Sequence, residues 1–383
     1  MKKRSKKPLP KEAERFDIGK NLPPRPVSLS GQRTRSPHVA EPSVEIRGGG
    51  TKRVLVRSLI GLILAVLTFI LIIGIWDARN INRASQKMFG SGLFGLLHQS
   101  QLETDAHGRV NVLVVGYSAD DPGHPAAKLT DSIMVLSMNP DSKSGYMLSI
   151  PRDLYVKIPG FGYGKINEAY QDGGMDLLTR IVADDFGLTN PYYSLVNYAA
   201  VRGIVDALGG INVCIDSSDP RGLYDPNISP VDGGPLRLAK GCQNITGQTA
   251  LNLSRARGDP CEFCGEYAYG FPRSDFDRTT HQRQVFGAIK QKISWKLILD
   301  PRKNSQLFNT IGDNVKTNIE GDHAVPLFRL FRQIPQPKLK SVSLDNLNGR
   351  RLIVGTSYAG STQSPAAGLE DFSEIQEAID QLD

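Results

Sequence analysis

The stretch SIPRDLYVKIPGFGYGKIN, Ser149 to Asn167, reads as the end of a strand followed by a Gly/Pro-rich loop. The strand delivers Arg152 and Asp153 to its carboxyl edge, and the loop carries Lys165 and Asn167. Ligands of α/β sheets bind outside the carboxyl ends of the strands, so a guanidinium beside a carboxylate there points to an anionic ligand. Arg255, Arg257 and Arg278 arrive later in the chain. Together these cations suit a polyphosphate, whose oxygens a planar fork of donors matches better than a point charge.

On the amino-terminal side, NVLVVG (111–116) is a β-branched run with a glycine stop, the pattern of a buried strand. SIMVLSMN (132–139) and GYMLSI (145–150) flank the turn PDSKSG and read as a hairpin. On the other side, KINEAYQ and MDLLTRIVADDFG suggest helices, the second closed by Gly187. YYSLVN (192–197) is a strand, NYAAVRGIVDALGG a helix stopped by two glycines, and INVCI (211–215) another strand. Strands alternating with helices predict a sheet covered on both faces. Residues 216–241, rich in Pro, Gly and Asp, read as a long surface loop. TGQTALNLSRAR (246–257) predicts a helix capped by Thr246, and a longer helix runs from Asp277 to Leu299. Beyond Pro301 the signals weaken to short helices near 303–311 and 322–332, strands near 340–344 and 351–355, and a last helix from Leu369.

The formal charge of +7 is unevenly spread. Residues 1–57 hold 15 Lys and Arg against 5 Asp and Glu, whereas the rest holds 31 against 34. The basic character therefore belongs to the tail, and a nucleic-acid footprint on the folded part is not supported. That tail, rich in Pro, Ser, Gly and charge, lacks the apolar residues to fold and reads as disordered. From Ser58 to Trp76 no charge interrupts 19 residues, a helix of roughly one hydrocarbon thickness. Lys52, Arg53 and Arg57 precede the run, which puts the amino terminus in the cytoplasm and everything after Trp76 outside. A cleavable signal peptide and a buried core helix compete with this reading, but a 57-residue leading segment is too long for the former. Residues 77–108 read as a stalk, 109–300 as the catalytic domain, and 301–383 as a segment packing on or extending it.

Cys214, Cys242, Cys261 and Cys264 all follow the membrane run, an even count suited to an oxidising compartment. Of three connectivities, Cys214 with Cys242 and Cys261 with Cys264 is the expected one. The CxxC could instead be half a zinc site or a redox pair, yet no second CxxC exists and its loop is flanked by Gly and Pro.

Each candidate has an ordinary structural account beside the functional one. Arg255 and Arg257 end a helix, where any cation suits the macrodipole. Arg278 opens a helix against that dipole, which is more suggestive, and Gln282 lies one turn on along the same face. Asp131, before a strand, is a turn former or a metal ligand; Asp120 and Asp121 could supply a second carboxylate to Mg²⁺, a hard ion that keeps several waters. No GxSxG, HExxH or P-loop is present, so charge neutralisation rather than covalent catalysis is indicated.

NVLVVG, LTDSIMVLSMNP, SIPRDLYVKIPGFGYGKIN, VRGIVDALGGINVCI, GQTALNLSRAR and SDFDRTTHQRQ occur in this order over about 110–295. In these pieces the chain resembles the LytR–CpsA–Psr family of membrane-anchored cell-wall glycopolymer ligases. The resemblance implies a three-layer α/β/α sandwich around a mixed central sheet, with a hydrophobic channel for a polyprenyl tail. It implies arginines and Mg²⁺ holding a lipid pyrophosphate, at positions matched here by Asp131, Arg152, Arg255, Arg257, Arg278 and Gln282. The implied reaction transfers a glycopolymer from that carrier to a peptidoglycan sugar hydroxyl, with Asp153 a candidate base. Two positions depart from the pattern. Ser118 stands where a metal-binding Asp is usual, and His281, mostly neutral above about pH 6.5, replaces a second arginine, so that anion binding there is expected to be weaker or pH-dependent. A non-catalytic wall-lipid receptor and a pyrophosphatase on the same lipid are the competing functions.

Overall fold

The computed structural model describes residues 97–118, 128–189, 192–228, 233–260, 267–294 and 301–382, with Gly265 and scattered positions between 68 and 95. The basic tail, the apolar run apart from Thr68, Asp120, Asp121, Cys261 and Cys264 lie outside them. Among the described residues, no helix is long and apolar enough to cross a membrane.

Three largely buried runs make the centre of the main sheet: β1 (Val110–Tyr117), β2 (Thr130–Asn139) and β3 (Ser144–Ile150), paired antiparallel in sequence order. β6 (Tyr192–Asn197) lies parallel to β1, as a helical crossover requires. The hairpin β4 (Tyr155–Ile158) and β5 (Gly162–Lys165) precedes the crossover helix α1 (Ala169–Phe186), which ends at Gly187 in the left-handed conformation. The expectation of a loop over 155–165 is thus corrected. Gly160 and Gly162, at φ +88° and +93°, bend the chain back on itself, and a side chain at Gly164 would have to displace the Glu168 carboxylate.

α2 (Tyr198–Ala207) leaves β6 with the Asn197 side chain accepting from the Ala200 N–H at 2.9 Å. It leads to β7 (Ile211–Ile215). The segment expected to be a plain loop contains β8 (Leu223–Asp225) and β9 (Leu236–Leu238), paired antiparallel; Leu223, Leu236 and Leu238 anchor them by burial. β10 (Gly241–Ile245) pairs with β7, placing Cys242 opposite Cys214, and the two form a disulfide. α3 (Gly247–Arg255) starts at the Thr246 cap, and α4 (Asp275–Lys292) ends earlier than its apolar pattern suggests.

The final segment supplies both edges of the main sheet. After α5 (Pro301–Asn314), β11 (Val315–Thr317) pairs antiparallel with β6. After α6 (Gly321–Gln333), β12 (Leu339–Ser343) pairs parallel with β3. The hairpin β13 (Ile353–Thr356) and β14 (Thr362–Pro365) and helix α7 (Ser373–Asp380) complete the chain. Side chains alternate across the sheet. Leu113, Val115, Val135 and Leu148 pack with α1 and α7, while Val112, Met134, Leu136 and Met147 pack with α6. The result is a mixed central sheet between two helical layers.

Candidate active site

The carboxyl end of β3 runs into the turn Pro151–Leu154, which directs Arg152 back towards the start of β2. Arg152 Nη1 donates to Asp131 Oδ1 at 2.6 Å, and its Nε lies 3.4 Å from Asp153 Oδ2. Lys165 Nζ holds the other Asp153 oxygen at 2.8 Å. Burial acts to lower the Arg152 pKa, but Asp131, Asp153 and Asp275 outweigh it and raise the value. Arg152 is therefore a permanent cation held between carboxylates.

Tyr198, the first residue of α2, links this pair to α3. Its hydroxyl donates to Asp131 Oδ2 at 3.4 Å, and the Arg255 guanidinium lies over its ring at 4.7 Å. Burial and the Asp131 charge push the phenol up to about 12, against smaller opposing effects of Arg255, Arg278 and Ser118. It stays a donor. Sequence reasoning missed Tyr198, although its place just after the carboxyl end of β6 is a signal for it.

Arg278 reaches the same site from α4. Its side chain is buried, with Nη2 2.7 Å from Asp275 Oδ1. Nε and Nη2 are nevertheless buried without a hydrogen bond of good geometry. Burial lowers its pKa; Asp275 and Asp131 oppose that, whereas Arg152 and Arg257 reinforce it. Arg257 lies just after α3, its Nη2 2.9 Å from Asp259, while the Asp225 carboxylate accepts from the N–H groups of Arg257 and Gly258. The candidate arginines 152, 255, 257 and 278 thus arrive at one edge of the sheet from three separate segments.

Other candidates occupy supporting positions. Gln282 accepts from Ser132 Oγ at 2.9 Å and donates to the Ser254 carbonyl at 3.0 Å, tying α4 to β2 and α3. Asn167 is buried; its N–H donates to the Arg152 carbonyl and its own carbonyl accepts from Thr130. Asp153, expected as a possible base, accepts from Lys165 Nζ through Oδ1, and its Oδ2 lies 3.4 Å from Arg152 Nε. Ser118 is fully buried beside the Tyr198 phenol. The expectation of a pH-dependent anion site at His281 is overturned. Burial first, with Arg273 and Arg283 adding and Asp277 opposing, pushes this imidazole down to about 4, so it stays neutral near pH 6.5. It packs edge-on against Phe271. Arg283, which sequence reasoning also passed over, is buried and donates to Ser149, Ser341 and Thr280. It pins α4 to β3 and β12.

No group of three His, Cys, Asp or Glu side chains forms a metal site among the described residues. Asp131 alone still fits Mg²⁺, which commonly takes one or two carboxylates beside waters and substrate phosphates. Among the described residues, its Oδ2 has only the long contact to Tyr198.

A profile of the LytR_cpsA_psr family matches residues 78–371. The chain belongs to this family. The family assignment agrees with curated relatives. The probable cell wall biosynthesis protein LcpB of Corynebacterium glutamicum is 36% identical over 203 residues, covering 52% of this chain and 43% of LcpB. The polyisoprenyl-teichoic acid–peptidoglycan teichoic acid transferase TagU of Bacillus anthracis is 34% identical over 225 residues, 58% of this chain and 65% of TagU. The matched region thus spans between 43% and 65% of these two relatives. Among solved LytR–CpsA–Psr structures, TagT bound to LI-WTA superposes with a TM-score of 0.52 at 25% identity, over 74% of this chain and 93% of that one. The protein gbs0355 of Streptococcus agalactiae gives 0.55 at 21% identity, over 73% and 92%, a likeness of fold.

Proposed function

We propose that the chain is a membrane-anchored phosphotransferase that moves a glycopolymer from a polyprenyl-pyrophosphate carrier to a peptidoglycan sugar hydroxyl. The observation that carries this reading is the convergence of Arg152, Arg255, Arg257 and the buried Arg278 at one sheet edge. Guanidinium donors buried without good acceptors suit a ligand that brings oxygen atoms with negative charge. The transferase name of TagU and the complex of TagT with LI-WTA support the same chemistry.

The lipid tail has a place beside this cradle. Val114 and Gly116 of the central strand β1, and their neighbours Ser194 and Val196 on β6, keep partial exposure on one face. Phe286 of α4 and Phe331 of α6 are half-buried against the same layer. In this reading the isoprenoid lies against these partly exposed residues. Arg278, Gln282 and Phe286 follow one another along a single face of α4, so this helix runs from charge to grease.

In the transfer, the acceptor oxygen bonds to the sugar-linked phosphorus, and its proton passes to the departing polyprenyl phosphate or through it to water. The bridging P–O bond breaks, polyprenyl monophosphate leaves, and a phosphodiester joins glycan to wall. Charge spreads over the equatorial oxygens, so fixed arginines supply most of what the protein contributes. Mg²⁺ held by Asp131 would share the charge of the diphosphate. Asp131, Tyr198 and Asp153 keep Arg152 and Arg255 in place. The apolar run 58–76 anchors the enzyme with this site outside the cytoplasm, where the pyrophosphate linkage brings its own driving force.

The test uses full-length protein in detergent with a synthetic polyprenyl-pyrophosphate sugar, peptidoglycan fragments and Mg²⁺, measuring polyprenyl monophosphate. Release is expected to require the fragments, and Arg152→Ala to lower it about 100-fold or more with an unchanged melting temperature. Equal release without fragments would indicate a hydrolase. Normal transfer by the arginine variant would sink the assignment.

A further inference from the structure

Four of the six large hydrophobic side chains exposed among the described residues lie on two neighbouring hairpins. They are Phe161 and Tyr163 on β4–β5, 60% and 45% exposed, and Val354 and Tyr358 on β13–β14, 41% and 58% exposed. The pattern is built into the strands. Val156 and Ile158 turn inward to the core, while Tyr155 and Lys157 turn outward with Tyr163 and Lys165 opposite them. The Tyr155 ring is stacked between Tyr163, centroids 6.0 Å apart, and Tyr358, at 5.4 Å. The end rings of this stack have one face each without an aromatic partner among the described residues.

The strip is fastened to the candidate site. The Gln363 N–H of β14 donates to the Asp153 carbonyl at 2.9 Å, Leu154 bridges Gln363, and Lys165 at the end of β5 holds the Asp153 carboxylate. Its charges are balanced: Lys157 lies 3.9 Å from Glu370, and Lys165 2.8 Å from Asp153.

We propose that this tyrosine strip binds the acceptor glycan and presents its hydroxyl to the diphosphate at Arg152, an inference that rests on the transferase reading above. Three features select a saccharide. Tyrosine offers an apolar face to the C–H side of a pyranose and a hydroxyl to its polar rim. A face whose cations are already paired does not favour anionic lipid headgroups, which attract clusters of unpaired Lys and Arg. It suits neutral sugar rings. The third feature is direction. The β4–β5 hairpin packs with α1 and α7 on one face of the sheet, whereas the half-sealed layer under α4 and α6 lies on the other. In-line displacement at phosphorus needs the nucleophile opposite the leaving group. A glycan on the strip and a lipid under α4 approach the diphosphate from opposite faces.

The experiment compares full-length wild type with a Tyr163→Ala, Tyr358→Ala double variant, both substitutions at exposed positions. Retention of peptide-free, muramidase-derived glycan strands is measured, together with the KM for those strands and the affinity for polyprenyl pyrophosphate. Glycan affinity is expected to fall about tenfold or more, the cost of losing two aromatic contacts, with carrier affinity unchanged. Tyr163→Phe should restore most of it. Unchanged glycan retention in the double variant overturns the inference, as does selective loss of binding to phosphatidylglycerol vesicles, which would assign the strip to the membrane. Wild type that retains glycan but never cleaves the carrier would fault the transferase reading and leave the strip as a glycan site.

Discussion

Tyr198 holds two charged partners at once, and its two halves can be separated by substitution. Tyr198→Phe keeps the ring beneath Arg255 and removes the donor to Asp131, so turnover is expected to fall by up to about tenfold. Tyr198→Ala removes both and should cost more; steady-state rates with varied carrier distinguish the two. Asp185 shows a different residue-scale effect. Its Oδ2 is buried without a partner, and burial with the nearby Asp184 pushes the carboxyl up to about 7. A folded-state pKa above the unfolded value means that its stability contribution is complete below about pH 4 and is lost as pH rises through 7. Asp185→Asn should therefore raise the melting temperature at pH 8 by about 2–4 °C and change it little at pH 4. Calorimetry at both values checks the sign. Arg152 was legible at this scale because it follows a strand end. Tyr198 and the burial of His281 were not, since each depends on contacts with segments distant in sequence.

Elements meet closely where glycine permits it. A side chain on Gly203 of α2 would lie 2.4 Å from the Thr310 methyl of α5, and one on Gly247 of α3 would lie 2.1 Å from the Arg202 carbonyl. Gly203→Ala is expected to cost about 1–3 kcal/mol by forcing α2 and α5 apart, read from denaturant midpoints at constant slope. The same spacing explains why some elements were readable and others not. β1, β2, β3, β6 and β7 are runs rich in apolar or aromatic residues with clear stops. β4 and β5 were hidden by Pro159 and by glycines at 160, 162 and 164, residues that usually mark loops but here make a tight turn and a close approach. β8 and β9 were hidden because three-residue strands carry too little pattern. Gln282 was correctly placed on the face of Arg278; its role as a clip between β2 and α3 needed the fold to be seen.

Across the whole molecule, the disulfide joins facing residues of β7 and β10 that are 28 positions apart. Replacing both Cys214 and Cys242 by serine should lower stability by about 3 kcal/mol, measured as a fall in melting temperature. That disulfides form was legible from the even number of cysteines after the apolar run; which of three connectivities they adopt was not, and Cys214 with Cys242 needed the β7–β10 register. The partial exposure of Val114 and Gly116 in the middle of β1 was not legible, since it depends on how α4 and α6 pack over that face.

The main sheet is bordered on both sides by strands that come after residue 300, β11 beside β6 and β12 beside β3. A polypeptide emerging amino end first therefore holds its inner strands with two bare flanks until the residues beyond 300 have followed. Bare flanks recruit foreign strands. A product terminated before residue 300 should therefore clump instead of behaving as a smaller folded protein.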